Sequence, residues 1–102
     1  VAFRVAAFQD GPDRVRVEWQ IEPGYYLYRS RLKFSTDPAL AQLGTPALPK
    51  GKTKVDEYFG EQEVYYGSLV ATVPVSRNGA SALELPLSVG FQGCADAGLC
   101  YP

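Results

Sequence analysis

The stretch Arg14-Val-Arg-Val-Glu-Trp-Gln-Ile21 alternates without a fault, with Val15, Val17, Trp19 and Ile21 on one face and Arg14, Arg16, Glu18 and Gln20 on the other. A period of two over eight residues is the signature of a half-buried β-strand, and no helix presents that pattern as one apolar face. Ser81 to Phe91 repeats it: Leu83, Leu85, Leu87, Val89 and Phe91 are expected to point inward, and Glu84, Pro86, Ser88 and Gly90 outward. Pro86 has no N–H to give to a ladder, so an edge is expected there. Phe3 to Phe8, Tyr25 to Phe34 and Ser68 to Val75 are weaker strands. Gly11-Pro12-Asp13, Glu22-Pro23-Gly24 and Arg77-Asn78-Gly79 carry turn chemistry, and Asn78-Gly79 is the strongest hairpin signal.

From Asp37 to Gly67 there is no sustained period, and prolines and glycines are frequent, so loops and short strands are expected. Asp37 to Leu43 suits a brief helical turn, with Asp37 as N-cap and Pro38 at the first helical position. Five or more strands without a long helical period make the chain all-β, an antiparallel sandwich rather than an α/β fold. With 102 residues, 46% of them apolar and 13% aromatic, one core and hence one domain, residues 1–102, is expected. No repeat or interdomain linker interrupts it.

Ten basic against eleven acidic residues leave a formal net charge of -1, with no basic field for phosphate backbones, so nucleic acid is not an expected partner. No apolar run reaches the roughly 18 residues of a membrane span. A chain that starts at Val1 and stops at Tyr101-Pro102 is expected to be a mature piece of something longer.

Histidine is absent, and with it the usual general base and metal ligand. Two cysteines alone make a poor zinc or iron–sulfur site, so no metal and no cofactor is expected. Redox chemistry of sulfur is what remains. Cys94-Ala-Asp-Ala-Gly-Leu-Cys100 places five residues between the thiols, too many for Cys-x-x-Cys and too few to pin two sheets together. Closing such a ring stabilises by only about 2 to 2.5 kcal/mol in the loop-closure model, so stability is a weak reason for it. Gly93, Ala95, Ala97 and Gly98 put little bulk near the sulfurs, leaving room for a partner thiol. Asp96 would raise a neighbouring thiol's pKa, and no lysine or arginine lies between Gly79 and Pro102, so reactivity would have to come from access and docking. Two readings stand on spacing alone: a working dithiol, and an inert staple in a module that only binds. A staple should have a potential below about -300 mV and an exchanging pair a higher one.

The run Gly90-Phe-Gln-Gly-Cys-Ala-Asp-Ala-Gly-Leu-Cys-Tyr-Pro102 closely resembles the active-site segment of the DsbD N-terminal domain family, with Leu99 where the family pattern has Phe. Trp19-Gln-Ile-Glu-Pro-Gly-Tyr-Tyr-Leu-Tyr-Arg29, Asp56-Glu-Tyr-Phe-Gly60 and Glu63-Val-Tyr65 match in the family's order, so the likeness covers nearly the whole chain. The resemblance implies an immunoglobulin-like sandwich with the disulfide in the loop joining its last two strands. It implies a monomeric periplasmic module of a larger inner-membrane protein-disulfide reductase, itself not inserted in the membrane, with a last strand continuing past Pro102. Electrons would come from that protein's C-terminal thioredoxin-like domain and pass to the isomerases DsbC and DsbG and to a CcmG-like cytochrome c maturation protein. Cys100 would be the exchanging thiol and Cys94 the resolving one.

The resemblance also implies a cap loop, Asp56-Glu57-Tyr58-Phe59-Gly60, whose aromatic ring covers the disulfide. Tyr58 is the covering ring by register, although the family's better-known order, Phe then Tyr, is reversed here. Tyr26 and Tyr28 match the family's active-site tyrosines and share one strand face, where their hydroxyls would meet a leaving thiolate. Asp56 and Glu57 match carboxylates proposed as proton shuttles, with solvated loop charges as the plainer reading. Asp96 is expected to form a turn, and Leu99 to neighbour the site.

Overall fold

The computed structural model describes residues 1–79 and 85–101. The strand expected over Arg14–Ile21 is β2, with those limits, and Val17, Trp19 and Ile21 are buried. From Val15 to Ile21 it pairs antiparallel with β1, Phe3–Gln9, through a turn at Gly11, whose φ of 82° favours glycine. On its other side lies β8, Ser68–Arg77, which burial of Leu69, Ala71, Val73 and Val75 marks as half-buried in the same alternating way. Strand β5, Ala41–Leu43, completes a four-stranded sheet in the order β1-β2-β8-β5.

The Glu22-Pro23-Gly24 turn carries the chain from that sheet to a second one: the Tyr25 N–H donates to Glu22 O at 3.1 Å, and Gly24 takes φ 85°. The second sheet has the order β11-β10-β3-β7-β6, built from β3 (Tyr25–Tyr28), β6 (Lys52–Asp56), β7 (Gly60–Tyr65), β10 (Gly93–Ala95) and β11 (Cys100–Tyr101). Between the sheets lies the main core, where Val17, Trp19, Ile21, Leu69, Ala71 and Val73 meet Leu27 and Tyr65. Trp19 stacks edge-on against Phe34 and Phe91 at 6.0 and 6.2 Å. This is an all-β, immunoglobulin-like antiparallel sandwich. Among the described residues no helix is long and apolar enough to cross a membrane.

Three expectations need correction. Tyr25–Phe34 is not one strand: β3 ends at Tyr28, a 3-10 turn spans Arg29–Arg31, and β4 restarts at Lys33–Ser35. At this break the Arg29 guanidinium donates to Pro49 O (3.0 Å), Glu63 Oε2 (3.2 Å) and the Tyr65 hydroxyl (3.0 Å). Of the strand expected over Ser81–Phe91, the described residues form a ladder only at β9, Ser88–Gly90, paired with β4. Leu85, Leu87, Val89 and Phe91 are nonetheless half-buried, while Pro86, Ser88 and Gly90 are exposed. Pro86 has no N–H to give to a ladder, and its carbonyl accepts from the Thr36 hydroxyl at 2.7 Å. Residues 80–84 of that expectation, Leu83 and Glu84 among them, and the return strand after Asn78-Gly79, lie outside the described residues. The helical turn at Asp37 is a single turn. Asp37 Oδ1 accepts from the Ala39 N–H at 2.9 Å, but Ala41–Leu43 joins the edge of β8 rather than continuing it.

Candidate functional site

Side chains alternate across β3, so Leu27 enters the core between the sheets while Tyr26 and Tyr28 stand on the opposite face. There they build a second, smaller cluster with Val64 and Cys94. Cys94 lies on that face because it is the register partner of Tyr26 in β10. The sulfurs therefore belong to the outer face of the five-stranded sheet and not to the sandwich core.

Cys94 and Cys100 face each other across the β10–β11 hairpin and are joined as a disulfide, with Cα atoms 3.9 Å apart. The local chemistry fixes this. The Ala95 N–H donates to Leu99 O at 2.6 Å and the Gly98 N–H to Ala95 O at 2.9 Å, closing a three-residue loop, Asp96-Ala97-Gly98. Such loops end on a left-handed residue, and Gly98 supplies it at φ 103°. The next pair outward from Ala95 and Leu99 is then a non-hydrogen-bonded one, the position at which facing side chains come closest. Cys94 is fully buried and Cys100 partly exposed, so the two sulfurs are not equivalent to an incoming reagent.

Asp56 closes the other side. It ends β6 at the start of the loop Glu57-Tyr58-Phe59, and it is only 4% exposed. Its Oδ1 accepts from the backbone N–H groups of Tyr58 (2.7 Å) and Phe59 (3.0 Å), while its Oδ2 accepts from the Tyr28 hydroxyl at 2.6 Å and from the Tyr26 hydroxyl. Tyr28 in turn places its hydroxyl oxygen 3.1 Å from Cys94 Sγ. One carboxylate thus holds the loop with one oxygen and both tyrosine hydroxyls, Tyr28's against the sulfur, with the other. The expectation of solvated loop charges fits Glu57, which is exposed, and fails for Asp56, because four donors converge on it.

Burial alone would raise the Asp56 pKa, but the Tyr26 and Tyr28 hydroxyls and the two backbone N–H groups outweigh it and hold the carboxyl at about 2. Burial, and then the bond to Asp56, push the Tyr28 hydroxyl up to about 12, and the same two causes raise Tyr26. At neutral pH Asp56 is therefore ionised and both tyrosines keep their protons. A folded-state value below that of the unfolded chain stabilises fully above about pH 4 and is lost as pH falls through 2. Relative to Asp56→Asn, the wild-type domain is expected to lose on the order of 2 kcal/mol between pH 5 and pH 2. Urea midpoints of both proteins across that range check this, and parallel curves would refute it.

Tyr58 is 50% exposed, and its hydroxyl donates to Gly98 O inside the cysteine ring. Phe59 is 41% exposed and lies edge-on against Tyr28 at 5.2 Å, with the Arg31 guanidinium 4.8 Å from its ring centroid. Each aromatic of the Asp56–Gly60 loop thus reaches the disulfide's surroundings by its own route. Asp96 opens the hairpin loop, as a turn former would, with its N–H on Gly24 O at 2.7 Å. Leu99 is 61% exposed beside Cys100.

The sequence reading did not single out Lys54, Tyr66 or Arg31. Lys54 Nζ lies 3.5 Å from Asp96 Oδ1 and 5.0 Å from the Tyr26 ring centroid, and the Tyr66 hydroxyl donates to the same Asp96 oxygen at 3.1 Å. No cation is near Cys94 along the chain, yet one reaches the hairpin through space. The available signal was the spacing of two between Lys54 and Asp56, which puts both on one face of β6. Gly93 also plays a different part from the one expected. It is buried against Phe3 and the Tyr26 carbonyl, so its small size serves packing and not access to the sulfurs. Among the described residues no three Cys, Asp or Glu side chains converge as metal ligands.

Comparison with known proteins adds to this geometry. A family model described as thiol:disulfide interchange protein DsbD, N-terminal, matches residues 1–102. Thiol:disulfide interchange protein DsbD 2 of Pseudomonas aeruginosa is 48% identical over 102 residues, covering 99% of this chain and 16% of that protein. DsbD of Photorhabdus laumondii is 44% identical over 95 residues, covering 93% and 16%. The chain therefore spans 16% of the length of these relatives. Among solved structures, the reduced form of the Neisseria meningitidis DsbD N-terminal domain superposes with a TM-score of 0.79 at 39% identity, covering 99% of this chain and 78% of that one. A complex between the DsbD N-terminal and PilB N-terminal domains of the same organism matches with a TM-score of 0.74 at 37% identity, covering 99% and 76%.

Proposed function

The chain belongs to the DsbD N-terminal domain family, and on that premise we propose that it is a periplasmic electron carrier whose Cys94–Cys100 pair cycles between disulfide and dithiol. The observation that carries the reading is the inequality of the two sulfurs. Cys100 is partly exposed at a sheet edge, whereas Cys94 is buried with its Sγ 3.1 Å from the Tyr28 hydroxyl.

In loading, a donor thiolate attacks Cys100 Sγ, the S–S bond breaks, and Cys94 leaves as the thiolate. Tyr28 has one proton to offer, now directed at Asp56; turning it to the thiolate stabilises the leaving group, while Tyr26 still donates to Asp56. The donor's second thiol then attacks its own sulfur in the mixed disulfide and frees Cys100. The domain gains two electrons and two protons, and the donor ends oxidised. Unloading runs in reverse: Cys100 attacks a client disulfide, and Cys94 resolves the mixed disulfide, restoring the Cys94–Cys100 bond. An Asp56 carboxyl near pKa 2 cannot hold a proton at neutral pH, so it acts as a fixed acceptor that orients the tyrosines, and not as a reservoir.

The donor in this reading is the C-terminal thioredoxin-like domain of the same protein, and the clients are DsbC, DsbG and a CcmG-like protein. The Neisseria complex with a PilB N-terminal domain supports docking of a protein partner at this kind of domain. The loop Asp56–Gly60 acts as the cap that such a partner displaces.

To test the assignment, the reduced domain is mixed with an oxidised thioredoxin-like partner carrying a single active cysteine, and the adduct is mapped by mass spectrometry. A bond to Cys100 is expected; a bond to Cys94 would reverse the roles. A potential below about -300 mV would instead identify the staple of a binding module.

A further inference from the structure

We propose that Lys54 is a positioning residue for the exchange described above: its ion pair with Asp96 clasps the cysteine hairpin to the stem of the cap loop and keeps the disulfide shielded. This rests on the reading of Cys94–Cys100 as an exchanging pair. The argument begins with topology. Strands β6 and β11 are the two outer strands of the five-stranded sheet, yet the loops that follow β6 and β10 touch each other. The Tyr58 hydroxyl donates to Gly98 O, and a Cβ built on Gly98 would lie 3.3 Å from Glu57 Oε1. Separating these two loop tips is what access to the sulfurs requires.

Backbone pairing does not oppose that separation, because β6 and β10 share no ladder and have β7 and β3 between them. Side chains crossing the outer face must do so. Lys54 makes the crossing: it rises from β6 on the same face as Asp56, passes over the Tyr26 ring at 5.0 Å and ends 3.5 Å from Asp96 Oδ1. Tyr66 fixes that oxygen from a second direction at 3.1 Å, and its ring lies 5.7 Å from that of Tyr26. Asp96 cannot swing away freely, since its own N–H is bonded to Gly24 O at 2.7 Å. The charged partners are 31% and 48% exposed, so bulk salt reaches them. A half-exposed pair is weak and screenable, which suits a clasp that must yield to a docking protein.

The test measures the rate at which tris(hydroxypropyl)phosphine, an uncharged reductant, opens the disulfide of the native domain. The phosphine attacks one sulfur, water delivers the oxygen of the phosphine oxide, and two thiols are released. Lys54→Met should speed reduction about fivefold, the size expected when a half-exposed ion pair and a cation–π contact are lost together. Asp96→Asn should give about two- to threefold, and the double variant no more than Lys54→Met alone. Raising ionic strength to 1 M, where the Debye length is about 3 Å, should speed the wild type toward the Lys54→Met rate and leave that variant unchanged. Lys54→Arg should restore both the slow rate and its salt dependence.

Equal rates in wild type, Lys54→Met and Asp96→Asn would overturn the clasp alone, with exchange itself intact. A disulfide that no variant allows the phosphine to open under native conditions would overturn the exchange reading and the clasp together. A fall in melting temperature without a change in rate would mean that Lys54 only packs, and would also refute the proposal.

Discussion

A Cys94→Ser domain mixed with an oxidised client is expected to stop at a stable mixed disulfide through Cys100, whereas Cys100→Ser should form no adduct and carry no electrons. The asymmetry follows from burial and from hydrogen bonding. Cys100 is partly exposed beside the 61%-exposed Leu99, so once a docking partner displaces the cap loop an in-line approach of a third sulfur comes from its side. Cys94 has no exposed surface, and its sulfur already faces the Tyr28 hydroxyl, leaving it a route only to Cys100. Removing Cys94 therefore removes the intramolecular attack that releases the client, while the first step remains possible. Non-reducing electrophoresis with mass mapping reads both outcomes. In either variant net electron transfer should fall to the rate seen without the domain, because a two-electron carrier needs both thiols. Adduct formation by Cys100→Ser, or turnover by either variant, would contradict the assignment.

The parts of this architecture legible in the amino-acid sequence are those that depend on neighbours in the chain. The alternation in Arg14–Ile21 forecast β2 to the residue, and the burial phase of Leu85 to Phe91 followed the expected pattern even where no ladder formed. The split of Tyr25–Phe34 was not legible, because the local residues do not show that the Arg29 side chain at the turn finds its partners at residues 49, 63 and 65. The same limit applies at the site. Tyr26 and Tyr28 share a face by spacing alone, but their meeting with Cys94 depends on a register pairing between residues 26 and 94. Asp56 in a polar loop looks solvated until the two hydroxyls converging on it from β3 are known. Electrostatics suffers most: counting charges between Gly79 and Pro102 found no cation, while Lys54 arrives from the opposite edge of the sheet.

Gly93→Ala is expected to destabilise the domain by about 3 kcal/mol, near the upper end for overpacking a well-filled core. A Cβ at this position would lie 2.4 Å from Phe3 Cζ, 2.8 Å from Phe3 Cε1 and 2.5 Å from the Tyr26 carbonyl oxygen. The Phe3 ring is held edge-on by Tyr25, Phe91 and Tyr101 at 5.8 to 6.1 Å, so it has little freedom to retreat. The Tyr26 oxygen belongs to the backbone of β3, which also carries Tyr28, and moving it would disturb the register that sets Tyr26 opposite Cys94. For a domain of this size the loss corresponds to a melting temperature lower by about 15 °C. Gly90→Ala is the control. It lies in the same segment with no positive φ, and its Cβ would meet only Lys33 Cβ at an ordinary 3.5 Å, so its stability should stay within about 0.5 kcal/mol of wild type. Thermal unfolding of both variants decides the matter. A Gly93→Ala domain melting within two or three degrees of wild type would mean that β3 and Phe3 yield easily, and the rigid seating of Cys94 beside Tyr28 would lose its physical basis.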